Sequence, residues 1–444
     1  MNLNTVERED DRILRINTLK ERNYRDAVHN IVRVDLGDAG GRLIAGLIDT
    51  AEFQRLRRVR QLGLAFFAYQ TAEHSRFTHS LGAFHLATRV LDRLGRKYEI
   101  SDDDALAVRV AALLHDVGHG PFSHVIEAAL GFHHEDFTVE AVLDESGGIG
   151  SRLKQHSATL ANDVADIIRG DFRRMALGQL VSSQLDVDRM DYLLRDTLMT
   201  GVKYGIYDLE WVLKSIEIDE ERDQLYVSAA GIHAVEDYLQ ARYYMFRQVY
   251  FHRTLRAAEA VLRSTLKKAL MLFKKGGDAW VAGGSAMESV LAGTKLSLDE
   301  HLSLDDSDFI FHIKRWSSSA DPMLSDLASR FINRRLFKAL DLDMASEEKD
   351  QFIAAARDAV ADAGFDTDYY FIEDTAGNDS HFFYSSDRGK PKDLIYVEDG
   401  FSRPQLREIS EVSSAVRGLQ KGFRVDRICF PAEARERIEK LYRS

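Results

Sequence analysis

Apolar residues recur at every third or fourth position between residues 43 and 272, and this periodicity is the strongest constraint on the fold. Such spacing places the apolar side chains along one face of a helix, where they can pack against other helices. Only five prolines interrupt the 444 residues, so long helices can form. The pattern predicts a mainly α protein, with a helical core and a smaller C-terminal α+β region.

The pattern changes after residue 272. Glycine pairs interrupt the chain, and segments 367–375 and 391–397 become rich in Tyr, Phe, Ile and Val, which favour strands. A mixed α/β region is therefore expected from about residue 290 onward. Within it, helices are predicted over residues 323–340, 347–363 and 431–442.

Two short segments stand out from the helical pattern. The first 28 residues are charged and poor in apolar side chains, which predicts a loosely attached arm. Residues 216–218 and 225–227 are strand-like and flank an acidic turn, which predicts a small hairpin.

Composition limits the class of protein. The chain is 45% apolar and 29% charged, and it has neither a long apolar stretch nor an apolar N-terminal segment, so a cytoplasmic protein without a membrane span is expected. The only cysteine, Cys429, lies in an apolar strand-like run and is expected to be a small buried side chain. A net charge of -12 argues against nucleic-acid coating as the main role, but a few local cations can still bind a small phosphate-bearing substrate.

An adjacent His-Asp pair, His115 and Asp116, ends an apolar helical run just before a glycine-rich break. An imidazole nitrogen and a carboxylate at a helix end can reach one cation, and mixed N/O ligands suit Mn, Fe, Zn or Mg. With the upstream His79 and the downstream Asp188, the pair is interpreted as one metal site, where water would become a usable nucleophile.

Histidines are concentrated around this pair, which supports the interpretation. Eight of the 15 histidines fall in one short stretch, namely His74, His79, His85, His115, His119, His124, His133 and His134. The alternative is a set of separately hydrogen-bonded helix histidines, which the uneven distribution makes the weaker explanation.

Other polar residues could complete a phosphate-binding pocket. Helical spacing puts Asp188, Tyr192 and Arg195 on one face, although an exposed helix with ion pairs explains that pattern equally well. Arg76 lies one helical turn before His79, where it could bind a phosphate oxygen. Three histidines could donate a proton to a leaving oxygen: His119, His124 and His134. Each of them could equally be structural. His134 is followed by Glu135, whose carboxylate would favour the charged form of the imidazole.

Four sequence blocks resemble those of HD-domain phosphohydrolases, specifically the deoxynucleoside triphosphate (dNTP) triphosphohydrolases related to the vertebrate enzyme that depletes dNTP pools. They are Ile48-Asp49-Thr50-Ala51-Glu52-Phe53-Gln54-Arg55-Leu56-Arg57 with Gln61-Leu62-Gly63, Arg76-Phe77-Thr78-His79-Ser80-Leu81-Gly82, Leu114-His115-Asp116-Val117-Gly118-His119-Gly120-Pro121-Phe122-Ser123-His124, and Asp186-Val187-Asp188-Arg189-Met190-Asp191-Tyr192. The third is the most specific, and the similarity is strong over residues 45–200. The resemblance implies an HD-domain core over 43–275, an arm and the start of a regulatory region over 1–42, and a C-terminal region over 276–444 in oligomer contacts.

The resemblance also implies roles for individual residues. Metal ligands would be His79, His115, Asp116 and Asp188, and catalytic residues would be His119, His124, His134 and Asp186, with His124 as the general acid. Substrate contacts would be Arg76, Gln61, Leu62, Arg189, Tyr192 and Asp196. The implied reaction is hydrolysis at the α-phosphate, which releases a deoxynucleoside and inorganic triphosphate.

Regulated members of this family bind GTP or dGTP and a second dNTP between subunits of a homo-oligomer, a tetramer or dimer. The matching residues here are Asp49, Gln54, Arg57, Arg334 and Lys338. The match is partial. The family's Asp-Pro-x-His-Gly block appears only as Val34-Asp35-Leu36-Gly37, and basic residues expected near Trp211 and around residues 229–232 are absent.

Two other functions remain open at this level. The same metal site could serve another HD phosphohydrolase reaction, as in a phosphodiesterase or a nucleotidase, although Gln61, Tyr192 and Asp196 favour a nucleoside triphosphate. The chain could instead be a nucleotide-sensing or single-strand-binding protein with little catalysis. Such a binder would have no use for His119, His124 and His134, which favours the enzyme.

Overall fold

The structure is a computed structural model that describes residues 20–377, 394–400, 405–420 and 424–443. Helices make up most of these ranges, and the strands form sheets of two, four and three strands. The prediction of a mainly α fold is confirmed.

The helical body begins after an N-terminal hairpin and ends at Lys274. Its helices are α1 (Ala39–Ile48), α2 (Ala51–Arg55), α3 (Arg76–Leu94), α4 (Asp102–Leu114), α5 (His124–Leu130), α6 (His134–Leu143), α7 (Gly148–His156), α8 (Leu160–Arg169), α9 (Met175–Gly178), α10 (Val187–Thr200), α11 (Leu209–Ser215), α12 (Ile232–Met245) and α13 (Arg253–Lys274). The start of α4 shows why these segments become helical. Ser101 Oγ accepts a hydrogen bond from the Asp104 N–H at 3.1 Å, and three aspartates in the first turn stabilise the positive end of the helix.

The remaining helices belong to the C-terminal part of the chain. They are α14 (Ala286–Ala292), α15 (Leu298–Ser303), α16 (Asp306–Trp316), α17 (Pro322–Ile332), α18 (Ser346–Asp362), α19 (Thr367–Tyr370), α20 (Ile409–Val412), α21 (Ser414–Leu419) and α22 (Arg435–Arg443). At α17, Asp321 caps the first turn and a proline occupies its start, where no backbone N–H is needed.

Three small sheets connect these helices. The strands are β1 (Glu21–Asp26), β2 (Asn30–Asp35), β3 (Ile216–Asp219), β4 (Gln224–Val227), β5 (Lys338–Asp341), β6 (Ile372–Gly377), β7 (Tyr396–Asp399), β8 (Gln405–Glu408) and β9 (Arg424–Phe430). β1 and β2 form an antiparallel hairpin, and β3 and β4 form the second hairpin, as predicted. β4 also pairs in parallel with β7, so the chain after residue 394 returns to the helical body. The third sheet has the order β5-β9-β6.

Two hydrophobic cores support the fold. The first takes side chains mostly from residues 32–249 and also from residues 395–416. The second takes them mostly from residues 255–438, together with 64–72 and 122–126. Because the loop between α4 and α5 reaches the second core through Phe122, the segment after the His-Asp pair lies where the two cores meet. The predicted region boundary near residue 275 stays a prediction.

Two predictions about local structure were wrong. Residues 21–26 form strand β1 rather than part of a loose arm, because they pair with β2 and their polar side chains find partners in the helical body. The helix predicted over 323–340 ends at Ile332. There Arg334 adopts a positive φ of 55°, its guanidinium donates to the Phe67 carbonyl, and the chain continues into β5.

Cys429 lies in β9 and is fully buried, as predicted for a small apolar side chain. Among the residues that the structure describes, no helix combines the length and the apolar character needed to cross a membrane. The cytoplasmic location stays a prediction.

The packing of α4 beside the His-Asp pair can be tested by truncation. Leu113 is fully buried, so Leu113→Ala is expected to lower the free energy of unfolding by about 2–5 kcal/mol. The matched control is Leu143→Ala, since Leu143 is 36% exposed and its loss should change stability by no more than about 0.5 kcal/mol. Urea denaturation of the metal-free protein measures both. Equal losses in the two variants would contradict the described core.

Candidate metal centre

Three helix ends bring the four predicted metal ligands together. His79 lies in the first turn of α3, and Asp188 lies in the first turn of α10. His115 caps the C-terminal end of α4, and Asp116 follows it. The structure therefore gathers residues that are more than a hundred positions apart in the chain.

Ligand atoms of His79, His115 and Asp116 all lie within 4.8 Å of one another, and Asp188 Oδ1 lies close to both histidines. His79 Nε2 lies 3.2 Å from His115 Nε2, 3.0 Å from Asp188 Oδ1 and 3.7 Å from Asp116 Oδ2. His115 Nε2 lies 3.5 Å from Asp188 Oδ1 and 3.5 Å from Asp116 Oδ1. Atoms bonded at about 2.0–2.2 Å to one ion would be separated by roughly 3–3.6 Å. The spacing is therefore that of a metal-binding set.

The opposite ring nitrogens fit the same function. His79 Nδ1 lies 2.8 Å from Asp191 Oδ2, and His115 Nδ1 lies 2.9 Å from the Ala112 carbonyl oxygen. An oxygen acceptor at Nδ1 keeps the proton there and leaves the Nε2 lone pair for a cation, the usual arrangement of metal-binding histidines. Two imidazoles and two carboxylates would suit a divalent ion such as Mn, Mg, Fe or Zn.

The charges of the cluster also favour a cation. Burial lowers the pKa of His79, but Asp188, Asp191 and Asp116 outweigh this effect and raise it to about 10. Asp116 and Asp188 likewise raise the pKa of His115 against the effect of burial. Buried carboxylates thus hold protons on the imidazoles, and a divalent ion would take the place of those protons.

A second cluster adjoins the first. The rings of His119 and His134 stack with their centroids 3.6 Å apart, and His134 Nδ1 lies 3.1 Å from Glu127 Oε1. His119 Nε2 lies 3.3 Å from Asp116 Oδ1, so one carboxylate is close to both clusters. Burial, Arg76 and His134 keep the pKa of His119 well below its ordinary value, which leaves this imidazole neutral.

The carboxylate beside His134 is not the one expected from the sequence. Its partner is Glu127, whereas Glu135, the adjacent residue, is exposed. Glu127 lies seven residues before His134, and a turn between α5 and α6 brings them together. Only the short distance in the chain could have suggested this pair. His124 begins α5, and the position of its side chain lies outside what the structure describes.

Long-range contacts fix the loop between α4 and α5. The buried Arg55 guanidinium donates to the carbonyl oxygens of Val117 at 3.2 Å, His119 at 2.8 Å and Leu304 at 2.7 Å. On the C-terminal side, Asp306 Oδ1 accepts a hydrogen bond from the Phe122 N–H at 2.9 Å. Phe122 itself adopts a positive φ of 50°, so these contacts hold a strained backbone.

Gly118 is needed in this loop for close packing. A Cβ at this position would lie 2.1 Å from the His134 carbonyl oxygen and 2.4 Å from the Thr138 nitrogen. The glycine-rich break seen in the sequence therefore lets the loop lie directly against α6, which brings His119 and His134 together.

The predicted nucleoside contacts form a hydrogen-bonded wall beside the ligand cluster. Asp196 Oδ1 lies 2.7 Å from His74 Nε2, and Asp196 Oδ2 accepts a hydrogen bond from the Tyr250 hydroxyl at 2.8 Å. The Tyr192 ring lies between His79 and Tyr250, with centroid distances of 6.4 and 6.3 Å. The sequence analysis missed His74 and Tyr250. Gln61 adjoins this wall through its backbone N–H, which donates to the His74 carbonyl at 3.0 Å, and Leu62 packs on the second core.

The predicted phosphate-binding arginines already have partners. Arg76 Nη1 donates to Asp116 Oδ2 at 2.6 Å, and its Nη2 donates to Ser123 Oγ at 2.7 Å. Arg189 forms an ion pair with Asp186 and donates to the Ser183 carbonyl at 2.6 Å. Arg76 therefore lies directly beside the ligand cluster.

Two residues differ from their expected positions. Asp186 caps α10, accepting hydrogen bonds from the backbone N–H groups of Ser183 at 3.0 Å and Arg189 at 2.8 Å, so it positions the helix that carries Asp188. Arg195 does not share the pocket wall with Asp188 and Tyr192. It is paired with Asp191 at 2.8 Å and Asp26 at 2.7 Å instead.

The predicted nucleotide-binding residues lie on the surface around α1, α2 and β5. Asp49 Oδ1 accepts a hydrogen bond from Arg22 Nη1 at 2.9 Å, and Arg57 Nε donates to Gln54 Oε1 at 2.8 Å. Their grouping into a nucleotide site stays a prediction. The other two residues are Arg334, which donates to Phe67 O at 3.0 Å, and Lys338, which is exposed at the start of β5.

Residues 26–30 also have part of the spacing of the family's N-terminal block. Asp26 and His29 have the Asp-x-x-His spacing of the family's Asp-Pro-x-His-Gly block, and Asn30 occupies the glycine position with a positive φ of 63°. Asparagine tolerates this backbone conformation better than most residues. The assignment of this block to residues 34–37 stays a prediction.

Known proteins resemble this chain in sequence and in fold. Residues 76–196 match the HD domain, and residues 207–277 match the HD associated region. The chain is 36% identical to the uncharacterized protein YwfO of Bacillus subtilis, over 92% of this chain and 91% of that protein. It is 29% identical to the deoxynucleoside triphosphate triphosphohydrolase SAMHD1 homolog of Dictyostelium discoideum, over 69% of this chain and 58% of that protein.

A solved structure agrees with these sequence matches. The phosphohydrolase from Bacteroides thetaiotaomicron superposes with a TM-score of 0.79 at 28% identity, over 92% of this chain and 99% of that chain. The chain therefore belongs to the HD-domain family, in the group related to SAMHD1.

A glycine in α3 tests the packing behind the ligands. A Cβ at Gly82 would lie 1.8 Å from Asp191 Oδ1 and 2.5 Å from Arg195 Nη2. Gly82→Ala is expected to lower the free energy of unfolding by about 3–5 kcal/mol, the usual effect of breaking a buried ion pair. Thermal and urea denaturation measure the change.

The matched control is Gly46→Ala in α1, where the nearest atom to an added Cβ lies 3.5 Å away. This substitution should leave stability unchanged or raise it by up to about 1 kcal/mol. A Gly82→Ala variant as stable as the Gly46→Ala variant would contradict the described packing.

Proposed function

We propose that the protein is a metal-dependent dNTP triphosphohydrolase. The observation that carries the proposal is the adjacency of two clusters, a four-ligand set and a His119–His134–Glu127 group, which both lie against Asp116. Relatives named dNTP triphosphohydrolases support the choice of substrate. The reaction is attack of water on the α-phosphorus and cleavage of its bond to the 5′ oxygen, which yields a deoxynucleoside and inorganic triphosphate.

In this proposal His79, His115, Asp116 and Asp188 hold one divalent metal ion, whether Mn, Mg, Fe or Zn. When bound, such an ion activates water and polarises a phosphate oxygen. Asp191 and the Ala112 carbonyl keep both imidazoles oriented with Nε2 toward the cluster. The protein's own contribution is therefore a pre-formed ligand set that requires little rearrangement.

The second cluster accepts and donates the protons that the reaction moves. Cleavage leaves a 5′ oxygen that must gain a proton, while the attacking water must lose one. His119 is held neutral beside Asp116, which is the form that a base requires. Once a phosphate neutralised the nearby charge of Arg76, His119 would accept a proton more readily. His134 is stacked on it and oriented by Glu127, so it can supply one. His124 stays a sequence-based prediction for the general acid. Asp186 caps α10, and its predicted role in orienting His124 stays a prediction.

The predicted substrate contacts surround the clusters. Arg76 would exchange its contacts with Asp116 and Ser123 for a phosphate oxygen, and Arg189 would add a further positive charge. Tyr192, Gln61, Leu62 and Asp196 would contact the deoxyribose, with Asp196 held in place by His74 and Tyr250. A hydrogen-bonding wall of this kind favours a nucleoside over a simple phosphate ester.

Regulation and assembly extend the proposal. Asp49, Gln54 and Arg57 would bind GTP or dGTP, and Arg334 and Lys338 would contact a second dNTP, in a homo-oligomer that is a tetramer or a dimer. The Arg22–Asp49 pair, with its side chains 39% and 53% exposed, is open enough for a ligand to compete with it.

A product assay tests the proposal. Purified protein with Mn²⁺ and each of the four dNTPs, with and without GTP, is expected to release deoxynucleoside and triphosphate. His115→Ala should lower turnover by more than about 100-fold while nucleotide still binds, because losing a ligand should exceed the ~10–100-fold effect of changes around one. The matched control is His156→Ala, since His156 is an exposed histidine at the end of α7 and should leave turnover unchanged.

Other products would point to other functions. Release of monophosphate and pyrophosphate would replace the triphosphohydrolase with a different HD phosphohydrolase. Nucleotide binding without any turnover, in the unchanged protein as in His115→Ala, would favour a sensor. A response to GTP would support the regulatory residues, and its absence would contradict them.

A further inference from the structure

The back of the ligand cluster is closed by a fully buried carboxylate that is not itself a ligand. Asp191 Oδ2 accepts hydrogen bonds from His79 Nδ1 and Arg195 Nε, each at 2.8 Å. Asp191 Oδ1 accepts one from Arg195 Nη2 at 2.9 Å and lies 2.6 Å from His29 Nε2. Together these donors hold the carboxylate in one orientation. The carboxylate in turn holds the ring of His79 in place.

One of these donors comes from outside the helical body. His29 lies in the turn of the β1–β2 hairpin, 162 positions before Asp191 in the chain. Its side chain is only 3% exposed, although it belongs to a two-stranded hairpin at the edge of the protein. The hairpin turn therefore reaches the interior and contacts the residue behind the metal ligand.

Two further contacts hold the turn in place. Asp26 Oδ2 accepts a hydrogen bond from Arg195 Nη1 at 2.7 Å, so Arg195 bridges Asp26 and Asp191. Asp26 Oδ1 also accepts the backbone N–H of His29 at 2.8 Å, which shapes the turn. These contacts leave His29 with a single geometry toward Asp191.

A glycine on α3 leaves room for the side chains of Asp191 and Arg195. Gly82 lies three residues after His79, and any side chain there would overlap Asp191 and Arg195. The helix that carries the metal ligand thus also accommodates the carboxylate that orients it.

We propose that His29 is a positioning residue for the metal ligand His79, acting through Asp191, and that the β1–β2 hairpin thereby sets the metal affinity of the site. The inference rests on the metal centre of the proposed function and not on the identity of the substrate. Without His29, Asp191 keeps both hydrogen bonds from Arg195 but loses the third donor, at Oδ1. The space that the imidazole leaves lets the carboxylate shift, so it holds the ring of His79 less tightly.

Metal titration of the full-length protein tests this role. Isothermal titration of the metal-stripped protein with Mn²⁺ should show a dissociation constant about 10–100-fold weaker for His29→Ala than for the unchanged protein, the usual effect of removing a partner behind a ligand. His29→Gln should restore most of the affinity, because its amide can still donate to Asp191, whereas His29→Asn is too short to reach and should resemble His29→Ala. Turnover of His29→Ala should recover as Mn²⁺ is raised.

The matched control is Arg25→Ala. Arg25 lies in β1, and its Nη1 donates to Asn30 Oδ1 at 2.9 Å, so this change removes a hydrogen bond of the same hairpin that does not involve Asp191. Its Mn²⁺ affinity should equal that of the unchanged protein. The Tm of each metal-free variant separates a structural role from a positioning role, since a structural role would lower Tm without changing the dissociation constant.

Several results would overturn the inference. They are equal Mn²⁺ affinity in His29→Ala and Arg25→Ala, equal affinity in His29→Gln and His29→Asn, and loss of the fold in all three His29 variants. Failure of the unchanged protein to bind Mn²⁺ would contradict the metal centre and this inference together. If dNTPs prove not to be substrates while Mn²⁺ affinity still depends on His29, the proposed function fails and the positioning role stands.

Discussion

The carboxylate of Asp116 is the interaction on which the site depends. It is 4% exposed and lies between Arg76 on one side and His79, His115 and His119 on the other. A buried charge is tolerated only when it is paired. Burial raises the pKa of Asp116, but Arg76 and the neighbouring imidazoles outweigh this effect and lower the pKa well below its ordinary value. Asp116 borders both the ligand set and the His119–His134 pair. It therefore sets the distance between the metal site and the histidines that would transfer protons.

Contacts from the C-terminal region and from the N-terminal hairpin both help to hold this carboxylate in place. The buried Arg55 donates to the loop after Asp116 and also to Leu304, so one guanidinium connects the helical body with the C-terminal region. His301 adds a contact of 2.7 Å to the Gly118 carbonyl. At the opposite side of the cluster, the N-terminal hairpin reaches Asp191. The site is therefore assembled by segments from nearly the whole described chain, although its ligands lie in one family domain.

The sequence predicted the parts of the site that have local signals. His115 and Asp116 follow an apolar helical run, and the capping position of Asp186 places Asp188 in the first turn of α10. The pairing of Asp191 with His29 has no local signal, because the two residues are 162 positions apart. Glu127 was missed for a different reason. An adjacent carboxylate, Glu135, seemed the simpler partner of His134, and only the turn between α5 and α6 turns Glu127 inward while Glu135 stays exposed.

The same distinction explains the fold. Helical periodicity predicted the long helices, and two strand-like segments around an acidic turn predicted the β3–β4 hairpin. Both depend on residues near each other in sequence. Such local patterns could not predict that β7 pairs with β4, or that the helix after Pro322 ends at Ile332 where Arg334 binds the Phe67 carbonyl. In both cases a contact between distant segments decides the local structure.

The central claim is that one metal ion binds among His79, His115, Asp116 and Asp188. The most direct measurement is anomalous X-ray scattering at the manganese edge from crystals of the protein grown with Mn²⁺. The account predicts one dominant peak within bonding distance of Nε2 of both histidines and of the two carboxylates. A dominant peak among His119, Glu127 and His134, which could also hold a metal ion, or no peak at either cluster, would contradict it.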